Sequence, residues 1–412
     1  MQRNTIRKLL DIPAYKVVGV DCREDDIHVW LKPYKRNRAV CSGCGKVHAQ
    51  GYHSTKEVIV RDLSLGKRRT YLHVLKRMCR CVEDDNIHVE EIDWLKLWSR
   101  VTKRYGEEVY RLTSITTNKE AGWFLGMDDE VVYRIDRDIL EEKAAEKLDP
   151  IPSALNISVD EVSYLKYHRY LTNVIDTDRK LVIWNAKGRK AEVLDRYYKG
   201  VGQVSCEKIE SVALDGARTY ISSTGRHAVN ALIVYDKFHV FQKLNNTVDA
   251  VRKDELQKAK KNGDDQTVEL TNCRQRFILL KNKSKLTEKQ DQHLKTLCQI
   301  NEPIYKAMLL KEDFLQVYAQ ENIEQAEAHL KNWIEQAAAS SLKAFQALAV
   351  SFSDKAQYIL NWFKKRISSA ISEGFNNKIK RLKRMAYGYR DIEYFKLKIH
   401  QHCGLLNPRL AT

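Results

Sequence analysis

The sequence predicts a multidomain chain, part mixed α/β and part all-α, and three observations carry that prediction. Short alternating or apolar runs bounded by turn residues fill residues 14–90. Strand-like and helix-like runs interleave from 154 to 245. From about 240 to 412 the apolar residues recur at three- and four-residue steps. A chain of 412 residues is long enough for two or three domains with a sizeable core.

The first region, 1–94, reads as a β-rich domain. "YKVVGVDC", "DIHVWLKP", "KEVIVRDL" and "RRTYLHVLKRMC" are strands, and the turn-rich "CSGCGK" lies among them, so a small sheet pinned by a metal site is expected. Residues 95–150 switch to helical period. "RYGEEVYRLTSI" is one helix, and "TNKEAGWFLG" is a second, with Asn118 as its N-cap and Gly126 as its stop. "MDDEVVYRIDRDILEEKAAEKL" is a third, with acids in its first turn. Two short helices about a tight glycine turn form a helix-turn-helix signature. The acids that open its last helix, Asp128, Asp129 and Glu130, repel phosphates, so a linker bundle or a dimerisation element stays open as well. "DPIPSA" then breaks the chain.

Residues 151–245 hold "LNISVDE", "HRYLTNVID" and "KLVIWNAKG" as strands one to three. A helix, "RKAEVLDRYYKGV", leads to strand four, "IESVALDG". A short helix, "RTYISSTGRHA", leads to strand five, "ALIVYD". Short turns make the first three a meander, and helical crossovers make the last two parallel to strand one or to each other. The result is a mixed sheet with helices on its faces. Residues 246–365 read as an all-helical insertion, in which Trp333 and Trp362 are core rather than base-stacking groups, and 366–412 return to the sheet domain.

Lys and Arg number 71 against 54 Asp and Glu, a net charge of +17 and a pI near 9.3. A surplus this large implies a polyanionic partner, and nucleic acid comes first. No apolar stretch approaches the length of a spanning helix, and "MQRNTIRKLLDIPAY" has no apolar core, so no membrane partner and a cytoplasmic location are expected. Nine cysteines, an odd number, point to a reducing compartment. Cys22, Cys206, Cys273, Cys298 and Cys403 are isolated, whereas Cys41 with Cys44 and Cys79 with Cys81 are paired by spacing. Four thiols from two hairpin tips suit a tetrahedral structural Zn²⁺, with His48 as an alternative ligand should Cys79 or Cys81 go unused.

The carboxylates carry the chemistry. Asp160 ends strand one and Asp215 ends strand four. If those strands are neighbours, both acids project at one edge of the sheet, where such folds bind ligands, and they invite divalent cations. Glu373 supplies a third acid for a two-metal site. Its helix carries Asn377, Lys380, Arg381 and Arg384 on the same face, a basic stripe for phosphates.

The run "SVDEVSY…YLTNVID…ALDGARTYI…IVYDKFHVFQKLNNTVDAVRK…SEGFNNKIKRLKRMAYGYRDIEYFKLKI" resembles bacterial insertion-sequence transposases of the ISL-three family. The cysteine knuckle, "VIVRDLSLGKRR" and the helix pair are similar too, so the resemblance covers nearly the whole chain. It implies a ribonuclease-H-like catalytic domain built from 151–245 and 366–412. It also implies a DDE triad, with Asp160 as first acid, Glu373 as last and, on the fourth strand, Asp215 as second. The implied cofactors are two Mg²⁺ ions at the triad and Zn²⁺ at Cys41, Cys44, Cys79 and Cys81. The second cysteine pair departs from the usual spacing, since Arg80 alone lies between its members. The implied activity is nicking of element ends and transfer of the 3′-hydroxyls to target DNA. Its partners are double-stranded DNA at the terminal repeats and the target, and a second copy when DNA is bound. Asp236 remains an alternative second metal ligand. In the same "DKFH", Lys237 and His239 would contact phosphate or orient an acid. A non-catalytic DNA-binding regulator and a structure-specific nuclease are the competing functions.

Overall fold

A computed structural model describes residues 3–48, 52–96, 99–165, 169–272, 276–281, 285–366 and 370–410, so Cys273 lies outside the described residues. The chain divides into two compact units, one of residues Met1–Ala144 with 411–412 and one of Ala145–Leu410.

Unit 1 joins the two N-terminal segments read from the sequence. It holds α1 (Arg3–Leu10), β1 (Tyr15–Cys22), β2 (Asp26–Pro33), β3 (Val40–Cys41), β4 (Ser54–Leu65), β5 (Arg68–Arg80), β6 (Ile87–Glu91), α2 (Lys103–Thr113), α3 (Asn118–Leu125) and most of α4 (Asp129–Lys147). The strands form one sheet in the order β1-β2-β5-β6-β3, with β4 on β5. Period-2 alternation decides which face is covered. Ile27, Val29 and Leu31 of β2 and Leu72 and Val74 of β5 point inward onto Ile6 and Leu10 of α1. Glu90 is buried and accepts from Tyr15 and from Arg77, so the β5–β6 pair carries an internal ion pair. Helices α2, α3 and α4 close on Tyr105, Val109, Ala121 and Val132. Gly126 stops α3 in the left-handed region, as expected. The N-cap is Thr117 rather than Asn118, because Thr117 and Glu120 complete a reciprocal capping box one residue earlier.

Unit 2 opens with β7 (Asn156–Leu165), β8 (Arg169–Asp176) and β9 (Leu181–Lys187). Helices α5 (Ala191–Val201) and α6 (Gln203–Glu207) then lead to β10 (Ser211–Leu214), and α7 (Arg218–His227) leads to β11 (Leu232–Tyr235). The sheet order is β11-β10-β7-β8-β9. The β7–β8–β9 pairs are antiparallel and β10 is parallel to both β7 and β11. The expected meander and crossovers are thus present. Strands β8 and β10 are buried along nearly their whole length because both faces are covered. On one face Ile157, Val159 and Val174 pack with Leu194, Tyr197 and Tyr220 of α5 and α7.

After β11 the chain is helical: α8 (Lys237–Asn262), α9 (Asp265–Thr271), α10 (Arg276–Leu280), α11 (Glu288–Ile300), α12 (Glu302–Val317), α13 (Ile323–Ala339), α14 (Lys343–Ser353) and α15 (Ala356–Lys364). Helix α8 runs unbroken through residue 246, so the sheet and the helical segment share one helix. Trp333, fully buried, sits against Phe314, Phe345 and Phe352 at the centre of this bundle. Its last helix, α15, covers the sheet edge at β11, where Asn361 Nδ2 donates to the Ile233 carbonyl at 2.8 Å. Helices α16 (Ala370–Met385) and α17 (Ile392–Cys403) then return to the second face of the sheet. There Phe375, Ile379, Phe395 and Ile399 pack on Val162, Leu171 and Ile175.

Candidate active site and metal centre

Strand register places the acids. Ala213 of β10 pairs with Ser158 of β7, and Leu214 pairs with Tyr235 of β11. Two residues past Ser158 is Asp160, two past Ala213 is Asp215, and one past Tyr235 is Asp236. Three aspartates therefore stand level across three adjacent strands. Asp160 does not end its strand as expected. Strand β7 runs on to Leu165 with β8 as its partner, and it is β10 that stops short at Leu214.

Each aspartate is held by a local donor. Asp160 Oδ1 accepts from the Glu161 amide at 2.7 Å, and Asp215 Oδ1 from the Ala217 amide at 2.9 Å. Asp236 is the N-cap of α8, accepting from the Phe238 amide at 2.9 Å. His239, in the first turn of α8, reaches back over the strand ends. Its Nε2 is 3.8 Å from Asp160 Oδ1 and 3.9 Å from Asp236 Oδ2. Asp160 and Asp236 stand two strands apart, yet those oxygens are no further apart than the sum of these two distances. Burial opposes a charge on His239, but Asp160, Asp236 and Asp215 outweigh it and raise the imidazole to about 9. The three acids thus favour the charged form of His239.

Helix α16 brings Glu373. Its Ser372 Oγ meets Ser158 Oγ at 2.7 Å, Asn376 Nδ2 donates to Asp160 Oδ2 at 2.7 Å, and Lys383 Nζ donates to the Ser163 carbonyl at 3.2 Å. The match is metric. Eleven residues of helix and five of strand both advance about 16 Å. Glu373 is exposed and lies about one helical turn before Asn376, the residue that binds Asp160. Asn377, Lys380, Arg381 and Arg384 are exposed on the same helix.

One orphaned polar side chain marks the same place. Asn173 pairs across the sheet with Asp160 and shares its face. It is 1% exposed, and neither amide atom has a hydrogen-bond partner. Such a group costs about 1–3 kcal/mol. Clustered acids beside an unpaired buried amide suit a hydrated divalent cation.

In unit 1 the atoms of Cys41, Cys44, His48 and Cys81 lie within 4.8 Å of one another. A tetrahedron with bonds of about 2.3 Å needs ligand spacings of roughly 3.8 Å, so this set fits Zn²⁺. Burial raises the Cys41 thiol, but His48 and the amides of Gly43 and Cys44 overcome it and bring it down to about 7. Cys79 does not join this group, and His48, the alternative, stands in its place. The reason is local: β5 ends at Arg80. Cys79 still follows the strand, facing Ala39 and Cys41, whereas Cys81 has turned out of it, its amide bound to the Asn86 carbonyl.

Residues 157–399 match the model of a transposase family, the DDE transposases of the ISL3 group, and residues 37–84 match the zinc finger of the transposases IS204, IS1001, IS1096 and IS1165. The chain belongs to the ISL3 family of DDE transposases. It is 29% identical over 404 residues to the transposase for insertion sequence element IS1001 of Bordetella parapertussis, covering 97% of this chain and 98% of that one. It is also 27% identical over 264 residues, 59% of each chain, to the transposase for insertion sequence element IS1557 of Mycobacterium tuberculosis. The transposase is thus of a class that cuts and transfers DNA. None of its described helices is long and apolar enough to cross a membrane.

Two side chains of the transposase near these acids make contacts that the sequence did not announce. Lys237 is partly buried against the helical segment. Its ammonium faces the rings of Trp362 at 4.4 Å, Tyr318 at 4.5 Å and Phe241 at 5.5 Å, and burial lowers its pKa. Three rings offer its ammonium an electrostatic partner, and the lysine ties the start of α8 to Tyr318 and Trp362. Asn376 was not anticipated. It sits one position off the stripe that runs through Asn377, and a contact made across 216 residues leaves no local signal.

Proposed function

We propose that this transposase binds the terminal repeats of an insertion sequence, nicks their ends and transfers the freed 3′-hydroxyls to target DNA. The observation that carries this reading is the convergence of Asp160, Asp215 and the Glu373-bearing helix at one end of one sheet. The strand order, with its three-strand meander and two parallel strands, supports a ribonuclease-H-like domain.

Asp160, Asp215 and Glu373 would hold two Mg²⁺ ions, which would supply Lewis-acid activation of water and of the scissile phosphate. The remaining work falls to the chain's own groups. Asn376 fixes which oxygen of Asp160 turns toward the site. His239 offsets the repulsion among the aspartates. Lys380, Arg381 and Arg384, with Asn377, hold the DNA backbone beside Glu373. Asp236 caps α8 and supports His239, and Asp215 is the second metal ligand. Zn²⁺ at Cys41, Cys44, His48 and Cys81 would brace unit 1, where α3 and α4 form the helix-turn-helix. Joining two ends requires at least a dimer on DNA.

The test is Mg²⁺-dependent cleavage of a labelled duplex carrying the flanking repeat. Asp160→Asn, Asp215→Asn and Glu373→Gln should abolish cutting with binding retained. Asp236→Asn keeps the capping acceptor and should still cut. Loss with Asp236→Asn and survival with Asp215→Asn would move the metal site to β11. Tight repeat binding with no cleavage by the wild type would instead indicate a regulator.

A further inference from the structure

Within unit 1 the charge is divided unevenly. Helix α4, the recognition helix of a helix-turn-helix, carries seven acids and four bases in "DEVVYRIDRDILEEKAAEK". Two of those bases are already engaged, Arg137 with Glu141 at 2.8 Å and Lys143 with Glu107 at 3.0 Å. The exposed acids Asp128, Asp129 and Glu130 stand at its start. A surface of that sign repels a phosphodiester backbone. The segment that ends β2 and follows it, "KPYKRNR", holds four bases and no acid over residues 32–38.

The fold turns that segment into a site. Residues 33–37 close on the end of α1 to form a notch of about 760 Å³, lined by Arg7, Lys8, Asp11, Tyr34, Arg36 and Asn37. The guanidinium carbons of Arg7 and Arg36 each lie 5.5 Å from the Tyr34 ring centre, so two cations flank one phenol. The notch is rigid. The Tyr34 amide and Asn37 Nδ2 both donate to the Ala14 carbonyl, at 3.0 and 3.1 Å. The Asn37 carbonyl accepts from Arg77, which is itself buried against Glu90. Arg104 donates to the Leu10 carbonyl at 2.6 Å and fixes the end of α1. Arg7, Lys8 and Arg36 remain exposed, and Asp11 is the one acid in the lining.

We infer that this notch, and not helix α4, is the place where unit 1 grips the phosphodiester backbone of duplex DNA. The inference rests on the reading of the chain as a DNA-binding transposase and adds where the duplex is held. Guanidiniums already held over one ring cost less ordering entropy on binding, and the Tyr34 hydroxyl of the same notch can donate to a phosphate oxygen.

The experiment uses the full-length, zinc-loaded chain and a labelled terminal-repeat duplex, with affinity measured over a salt series. Arg7→Ala with Arg36→Ala removes two phosphate contacts. It should make the slope of log affinity against log salt shallower by about 1.8 and weaken binding roughly 30-fold near 0.15 M salt. Arg134→Ala, which removes an exposed cation of α4, should leave both unchanged. Melting curves of the variants should overlay the wild type, since all three side chains are exposed. An unchanged slope in the notch variant, or a slope lowered by Arg134→Ala instead, would overturn the inference while leaving the transposase reading intact. Wild-type protein that binds no duplex at any salt would bring down both.

Discussion

Removing the side-chain amide of Asn376 tests how the site is assembled. Asn376 Nδ2 donates to Asp160 Oδ2 at 2.7 Å, and the Asp160 side chain is 12% exposed, so solvent replaces the lost donor poorly. A hydrogen bond to a charged group is worth about 1.5–3 kcal/mol. If that energy fixes the rotamer presented to the metals, Asn376→Ala should slow cleavage about 10- to 150-fold. Asn376→Asp, equal in volume but without the donor and with a repelling charge, should slow it at least as much. Neither should shift α16, because Ser158–Ser372 and the contacts of Phe375 and Ile379 remain. The assay is single-turnover cleavage of the labelled repeat, read beside a urea melt. Cleavage within about threefold of wild type for both variants would refute the positioning role and leave Asn376 a packing contact.

Three further outcomes follow from the same geometry. Cys81→Ser and His48→Ala should each release zinc from the purified protein and Cys79→Ser should retain it; elemental analysis checks this, and zinc loss with Cys79→Ser but not with His48→Ala would restore the four-thiol set. Burial depresses His400 to about 4 against an unfolded value near 6.5, so the unfolded chain takes up the proton first and stability is lost as pH falls from about 6.5 to about 4, by roughly 3 kcal/mol. Urea midpoints at both ends of that window should show a smaller drop for His400→Gln than for wild type. Trp333→Ala should cost about 3–5 kcal/mol in urea unfolding, because it empties a ring cluster and strips the Leu310 carbonyl of its indole donor.

Much of this fold was legible because its signals are local. The alternation in "DIHVWLKP", the fully buried "SVAL" and the turn at Gly126 each announce themselves within a few residues. The aspartates were legible for the same reason, since each follows an apolar run. What escaped depends on distant partners or on where a strand stops. His48 replaced Cys79 because β5 ends between the two members of Cys-x-Cys, which splits side chains that continuous pleating would have aligned. The Lys237 cage draws its rings from Phe241, Tyr318 and Trp362, which no periodicity links. Asn376 was hidden by its neighbour, whose place in a clean basic stripe drew attention one residue too far.

The long helical segment between β11 and α16 also sets an order in time. Asp160, Asp215 and Asp236 leave the ribosome early, and Glu373 follows only after α8 to α15 have been made. At about 5–20 residues per second, the interval between the second acid and the last is roughly 8–30 s. A chain interrupted in that interval after Asp236 keeps residues 1–144 and all three aspartates of the site, yet has no Glu373 and no Asn376. On the function proposed above, such a fragment would occupy element ends without cutting them. The position of one helix near the carboxyl end would thereby make a copy interrupted within the helical segment a competitor of the complete enzyme.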